Sequence, residues 1–308
     1  MTPAPAPGPH LALVGPTASG KSALALEVAR RLPDVELVSV DSMQVYRGMD
    51  VGTAKPTPAE RAEVPVHLVD IADPSEDFSV VEFQAAALSV LADVEARDHR
   101  ALLVGGTGLY LRAVVDGLSV PPQWPAVRAE LEAEPDTASL HRRLAGLDPV
   151  AAARMTPTNR RRVVRALEVV VGSGRPFSSF GVGLDVHPPV PFLLAGVWLP
   201  REVVGERIAR RFAAMVGAGL VGEVAALAAR PRGLSRTASQ ALGYREVLAH
   251  LRGECSLDEA VDEAVRRTRR FARRQRVWFR RDPRVTWYGC EENPVALTGA
   301  LLGDWGRR

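Results

Sequence analysis

Leu11-Ala12-Leu13-Val14-Gly15-Pro16-Thr17-Ala18-Ser19-Gly20-Lys21-Ser22 decides the fold: a short apolar run, a turn of glycine and small residues, then Lys-Ser opening a helical pattern. From Gly15 to Ser22 the spacing Gly-x4-Gly-Lys-Ser is that of a phosphate-binding loop. Such a loop needs glycines so that consecutive N–H groups can turn toward phosphate oxygens, and the following helix N-terminus adds a favourable dipole. Gly15, Pro16, Thr17, Ala18, Ser19 and Gly20 are therefore expected to cradle a di- or triphosphate. Lys21 would neutralise its terminal phosphate, and the Ser22 hydroxyl is suited to Mg²⁺.

Further apolar runs at residues 36–40, 66–69, 101–104 and 192–199 do not alternate with polar residues, and neither does 11–14. That pattern predicts strands covered on both faces, as in a parallel sheet. Helical spacing at 22–32 and 79–96 falls between them, which predicts βαβ units. The expected fold class is α/β: a P-loop, doubly wound, mostly parallel sheet. The rhythm breaks after Gly117, where 118–190 shows only helices and proline-punctuated turns. The clearest helix covers 159–171, with Val163, Val164, Leu167, Val170 and Val171 on one face and Gly172-Ser173-Gly174 as its stop. The chain is thus expected to divide into a catalytic core (1–117), an inserted all-helical domain (118–190) and a completion of the core (191–308). In that last part helices are predicted at 203–219, 222–229 and 256–280.

A composition of 46% hydrophobic and 24% charged residues, with no apolar run near the ~20 residues of a membrane span, predicts a soluble cytoplasmic protein with no membrane partner. The Pro/Ala-rich stretch Met1 to Pro9 lacks the anatomy of a signal peptide and reads as a disordered lead-in. Cys255 and Cys290 have no metal or redox spacing, and the six histidines none that suits zinc. His67, on a candidate strand, is expected to be a hydrogen-bonded core histidine.

Net charge is only +3, but ten arginines lie between Arg266 and Arg284 against one acid, Asp282. A second cluster comprises Arg160, Arg161, Arg162 and Arg165. Either could be a solvated helix face; together they favour a localised polyanionic partner. On the 256–280 helix the core-facing stripe is expected to be Val261, Val265, Thr268, Phe271, Ala272, Gln275 and Trp278.

Asp41 closes the second strand, and ligands of open α/β sheets bind at the carboxyl ends of strands. Asp41 could hold a metal, act as general base, or bond the backbone of its own turn. Gly105-Gly106-Thr107 brings a third loop to the same edge, its glycines expected to admit a ligand and Thr107 to offer a hydroxyl. On these residues alone a small-molecule kinase is as good a reading as any other phosphate chemistry.

The string Asp41-Ser42-Met43-Gln44-Val45-Tyr46-Arg47-Gly48-Met49-Asp50-Val51-Gly52-Thr53-Ala54-Lys55-Pro56, with the loop before it, closely resembles the tRNA dimethylallyltransferase (tRNA isopentenyltransferase) family. Further matches follow in the family's order: His67 to Ile71, Val104 to Tyr110, Arg165 to Glu168, Gln240 to Arg245, and Arg274-Gln275 before Trp278-Phe279-Arg280. The resemblance covers about residues 10–280. It implies that the loop grips the pyrophosphate of dimethylallyl diphosphate with Mg²⁺. The exocyclic amine of the adenosine 3′ to the anticodon of tRNA (position 37) attacks the allylic carbon, and pyrophosphate leaves. Carried over, Asp41 accepts the amine's proton, Thr107 positions the amine or bridging oxygen, and Arg207 or Arg211 adds charge to the pyrophosphate. Asp41, Ser42, Met43, Gln44, Thr107, Arg128, Arg161, Arg162, Val163, Val164, Arg165, Gln240, Ala241, Leu242, Gly243, Tyr244 and Arg245 resemble tRNA-contacting positions. The expected partners are the anticodon stem-loop of tRNA and the prenyl diphosphate, with the protein a monomer. The alternatives are a P-loop kinase or an adenylate isopentenyltransferase. Two departures stand out: Ser22 where many members have Thr, and Pro157-Thr158-Asn159-Arg160-Arg161-Arg162 where the family usually shows Pro-Asn-Asp-x-x-Arg.

Overall fold

The computed structural model describes residues 9–306 other than 182 and 185, so residues 1–8 of the expected lead-in lie outside the described residues. Pro9 itself is tied down, its carbonyl accepting from the Trp305 indole at 2.7 Å. The chain forms two compact units, Met1–Asp116 with Pro189–Arg308, and Gly117–Pro188.

In chain order the first part of the larger unit contains β1 (His10–Val14), α1 (Lys21–Arg31), β2 (Val35–Val40), α2 (Pro58–Glu63), β3 (Val66–His67), α3 (Val80–Glu95), β4 (Arg100–Gly105) and α4 (Gly108–Val115). The smaller unit is α5 (Pro125–Ala133), α6 (Thr137–Leu147), α7 (Pro149–Ala153) and α8 (Arg160–Ser173). The larger unit resumes with β5 (Phe192–Trp198), α9 (Arg201–Gly217), α10 (Leu220–Ala228), α11 (Tyr244–Leu251), α12 (Leu257–Arg280), β6 (Val285–Gly289) and α13 (Thr298–Trp305). Among the described residues no single helix is long and apolar enough to cross a membrane.

One sheet of six strands, ordered β3-β2-β4-β1-β5-β6, has every pair parallel. β1 and β2 are buried along their whole length, which is why their sequences show no alternation. Two expectations need correction. β3 holds two residues and does not extend to Val69, because Leu68 and Asp70 take left-handed backbone (φ 62° and 61°) and lead the chain off the sheet edge. β6 was not expected; its Val285-Thr286-Trp287-Tyr288 run is short but β-branched and aromatic, the composition strands favour.

Register places the rim. Val14 of β1 and Val40 of β2 both pair with Gly105 of β4, so three adjacent strands end at one level. Gly15, Asp41 and Gly106 therefore leave the sheet side by side.

α12 also differs from expectation. Its deepest line is Ala260, Ala264, Thr268, Ala272, Gln275, Arg276 and Phe279, while Val261, Val265, Phe271 and Trp278 are only half-buried. Alanines at the contact let the helix axis approach its neighbours, so the larger residues flank the seam instead of filling it. A capping box at Ser256 and Glu259 starts the helix. Acids in its first turn and Arg280 in its last suit the dipole.

The smaller unit has its own core of Leu131, Leu140, Leu144, Ala152, Val163 and Leu167. Glu168, fully buried there, accepts the Trp124 amide at 2.8 Å and pairs with Arg165 at 2.9 Å. Arg165 in turn donates to the carbonyls of Pro121 (2.7 Å) and Pro122 (3.0 Å).

Candidate active site

The loop after β1 turns through Ala18 (φ 61°) and Gly20 (φ 78°) before α1. Gly20 is required twice over, since a Cβ there would also lie 2.3 Å from the Pro294 ring. Not every amide assigned to phosphate faces outward. The Thr17 N–H donates to Gln275 Oε1 (2.8 Å) and the Ser19 N–H to the Pro16 carbonyl (3.2 Å). The Ser19 side chain is buried beneath the loop. The amides of Ala18, Gly20, Lys21 and Ser22 have no partner among the described residues and remain available to an anion.

Lys21 lies half-buried, donating to the Pro16 carbonyl at 3.3 Å. Burial lowers its pKa to about 8, with Asp41 opposing the shift and Arg211 adding to it. From α9, Arg211 donates to the Thr17 hydroxyl at 3.4 Å and Arg207 to the Glu292 carbonyl at 2.6 Å. These arginines are four apart on α9 and flank the buried line of Val204, Ile208 and Phe212, which anchors the helix in the core. Thr17, Lys21, Ser22, Asp41, Arg207 and Arg211 line one cavity of about 300 Å³, closed on its other side by Gln44, Thr53, Ala54, Val104 and Gly105.

Of the roles left open for Asp41, the structure shows the bond to the backbone of its own turn. Its Oδ1 accepts from the Met43 and Gln44 amides (2.8 and 3.4 Å), a turn that fixes the carboxylate. Its Oδ2 bonds to no described group. Thr107 Oγ1 accepts the Ser42 amide at 3.3 Å, linking the second and third loops.

The glycines of the third loop correct another expectation. They make room for protein, although Gly105 also lines the cavity: a Cβ at Gly105 would lie 2.1 Å from the Val40 carbonyl, at Gly106 2.3 Å from Gln275 Nε2, and at Gly108 2.1 Å from Trp278 Nε1.

The Asp41–Pro56 string is largely a self-supporting wall. Gln44 bridges Ser39 Oγ, which donates to its Oε1 at 2.8 Å, and the carbonyls of Thr53 (3.2 Å) and Ala54 (3.3 Å). Lys55, buried, donates to Asp50 and Asp70, both at 2.6 Å. Glu223 of α10 gathers the amides of Asp50, Val51 and Gly52 at 2.8 to 3.1 Å and also accepts from the Tyr244 hydroxyl. Sequence reading missed Glu223; an isolated Glu in an apolar helix carries no signal until the loop it holds is folded against it.

Several residues expected at an RNA contact prove to be internal. Val163, Val164, Ala241 and Tyr244 are buried (0, 2, 5 and 0% exposed), so their side chains serve the cores, and Gly243 is buried with them. Leu242 is half-buried. Arg128 pairs with Glu132 at 2.9 Å, and Arg165 holds the proline loop already described. Arg161, Arg162, Gln240 and Arg245 are exposed. Where the family usually has Asp, Asn159 caps α8 by accepting the Arg162 amide at 3.4 Å, a position at which Asn and Asp perform alike. The arginines of α12 divide likewise. Arg276 is buried and donates to the Leu199 carbonyl, Arg267 pairs with Glu246, and Arg273, Arg274, Arg280 and, just past the helix, Arg281 are exposed.

Among the described residues no group of three His, Cys, Asp or Glu side chains could hold a metal. The oxygen donors in the cleft, the exposed Ser22 hydroxyl and the Asp41 carboxylate, suit Mg²⁺, which takes one or two protein oxygens and completes its shell with phosphate and water.

A parallel sheet with a phosphate-binding loop, a lysine, two arginines and a carboxylate in one cleft defines a P-loop protein. Residues 44–282 match the IPP transferase family and residues 10–71 the isopentenyl transferase family. A tRNA dimethylallyltransferase of Streptomyces coelicolor is 52% identical over 292 residues, 93% of this chain and 92% of the relative. The chain belongs to the tRNA dimethylallyltransferase family. The solved full-length tRNA isopentenylpyrophosphate transferase of Bacillus halodurans is 38% identical, with a TM-score of 0.71 over 97% of each chain. A eukaryotic dimethylallyltransferase acting on tRNA, 22% identical, shares the fold (TM-score 0.79; 96% of this chain, 77% of that one).

Proposed function

We propose that this chain transfers the dimethylallyl group of dimethylallyl diphosphate to the exocyclic amine of the adenosine 3′ to the anticodon (position 37) of tRNA, releasing pyrophosphate. The observation that carries the reading is the convergence of Asp41, with one unpartnered carboxylate oxygen, on the cleft lined by Lys21, Arg207 and Arg211.

An aromatic amine is a weak nucleophile, so a poised base and a stabilised leaving group are the useful aids. The amine nitrogen forms a bond to the allylic carbon as the carbon–oxygen bond to diphosphate breaks. Asp41 Oδ2 takes the amine proton, and the turn at Oδ1 keeps that carboxylate aimed. The amides of Ala18, Gly20, Lys21 and Ser22, with Lys21, Arg207 and Arg211, hold the diphosphate and stabilise the charge it gains. Ser22, together with the diphosphate's own oxygens and water, would hold Mg²⁺, which when bound supplies further positive charge to the leaving group. Thr107, held at the Ser42 amide, orients the amine or the bridging oxygen. The target base must be unstacked from its loop, at a cost of a few kcal/mol that contacts to the rest of the anticodon stem-loop offset. Arg161 and Arg162 on the smaller unit and Gln240 and Arg245 on the larger are exposed for such contacts. The protein works as a monomer in the cytoplasm.

The test is incubation with unmodified tRNA, labelled dimethylallyl diphosphate and Mg²⁺, with AMP and ATP as controls. Label on tRNA is expected. Label on AMP alone, or ATP consumed without prenyl transfer, overturns the reading in favour of an adenylate isopentenyltransferase or a kinase.

A further inference from the structure

Gln275 lies on the deep line of α12, 7% exposed, at a place where the helix needs no polar side chain for its own stability. Both ends of its amide are used, and on different loops. Oε1 accepts the Thr17 N–H of the phosphate-binding loop at 2.8 Å, and Nε2 donates to the Gly106 carbonyl at 2.8 Å. Gly106 has no room for a side chain because Gln275 Nε2 stands 2.3 Å from where its Cβ would be. The next residue, Thr107, bonds the Ser42 amide beside Asp41.

We infer that Gln275 is a positioning residue that fixes the spacing between the diphosphate cradle and the loop that, with Asp41, receives the attacking amine. This rests on the transfer reaction proposed above. A buried amide is suited to the task. It offers one acceptor and one donor on a planar group, so it can satisfy an N–H and a C=O together only when both lie at a set separation. A strut that controls relative placement should act on the chemical step more than on either binding step, since a misplacement of about 1 Å between reacting groups can cost ~10²-fold in rate. Loss of diphosphate-binding amides would do the reverse.

Gln275→Met keeps volume and removes both bonds; Gln275→Glu keeps the acceptor for Thr17 and sets an oxygen against the Gly106 carbonyl. For both, kcat is expected to fall at least about thirtyfold. KM for each substrate, and diphosphate affinity measured by calorimetry without turnover, should stay within about threefold of wild type. Gly106→Ala disturbs the same bridge from the other side, so its cost should shrink in a Gln275→Ala background, where the added methyl has space. If kcat per folded molecule is unchanged, if diphosphate affinity falls in step with kcat, or if Gly106→Ala and Gln275→Ala are additive, the inference is wrong. Wild-type activity on tRNA is measured in the same series; its absence would refute the transfer reading itself, whereas its presence with unaffected variants would refute only the role of Gln275.

Discussion

Asp41 and Lys21 show how one side chain's surroundings set its chemistry. A carboxylate with one oxygen spent on its own turn has the other fixed in direction, which is what a proton acceptor needs. Asp41→Asn keeps the turn and removes the base, so turnover should fall by about 10²–10⁴ while tRNA affinity in filter binding stays within about threefold. A comparable loss of binding would make Asp41 a contact residue instead. Lys21 is a cation whose pKa burial lowers from 10.5 to about 8. Between those values the unfolded chain binds more protons than the folded one, so the ligand-free protein should gain stability as pH rises from about 8 to 10.5. Diphosphate requires the charged form. Its affinity should therefore weaken above pH 8, and binding at pH 8 to 9 should take up a proton, visible as a buffer-dependent calorimetric heat. Lys21→Arg, charged throughout this range, should abolish that dependence.

At the scale of the element, a basic helix proves to be two populations of arginine with separate tasks. On α8, Arg165 pairs with buried Glu168 and holds the proline loop, while Arg161 and Arg162 stand in solvent. Arg165→Ala leaves buried Glu168 with only the longer ion pair to Arg128 (3.7 Å) and should cost about 3 kcal/mol, read as a lowered unfolding midpoint. Arg161→Ala should leave stability within about 0.5 kcal/mol, weaken tRNA binding and lower the salt slope by about one contact. An unchanged salt slope would remove Arg161 from the RNA contact. α12 divides in the same way, with Arg276 and Arg267 internal and Arg273, Arg274 and Arg280 outward. A count of basic residues along a helix thus overstates the charge offered to a polyanion.

For the whole molecule, the sheet has chemistry at one end and an ionic brace elsewhere. Glu36 of β2, 3% exposed, binds His67 Nε2 (2.6 Å), His99 Nδ1 (2.8 Å) and Arg97 (2.9 Å). Burial pushes its pKa up, but the hydrogen bonds from Arg97, His67 and His99 more than offset that and hold it at about 2, from an ordinary 4.5. A depressed carboxylate contributes stability that is full above pH 4.5 and is lost as pH falls toward 2. Glu36→Gln should therefore be less stable than wild type at neutral pH, the gap closing over that window in acid-dependent urea unfolding. A gap independent of pH would mean that Glu36 acts through packing alone. His67 reads in the sequence as a hydrogen-bonded core histidine; it is hydrogen-bonded, but it lies half-buried on the edge strand β3, and its partner Glu36, on another strand, could be found only in the fold.

By itself the sequence determined the class of fold, the phosphate-binding loop, the helical insertion and the family. These depend on local chemistry: glycine and lysine at fixed offsets, apolar runs too short for anything but strands, and a long motif string. The candidate site was half legible. Thr17, Ala18, Gly20, Lys21, Ser22, Asp41, Arg207 and Arg211 line the cleft, while Gly15, Pro16 and Ser19 do not; residues just past a strand end lie on the sheet rim, and α9, packed on the core, brings its arginines there. What only the tertiary structure decided was which polar groups are left over for a ligand. The Thr17 and Ser19 amides are consumed internally, the Gly105-Gly106 pair admits a strand and a glutamine, and Tyr244, Val163 and Val164 are core. The physical reason is that hydrogen-bond satisfaction and burial are long-range: Gln275 stands 258 residues from Thr17 and 169 from Gly106 in the chain, yet joins them. The loop at Gly15 is therefore shaped as much by the far end of the chain as by its own glycines.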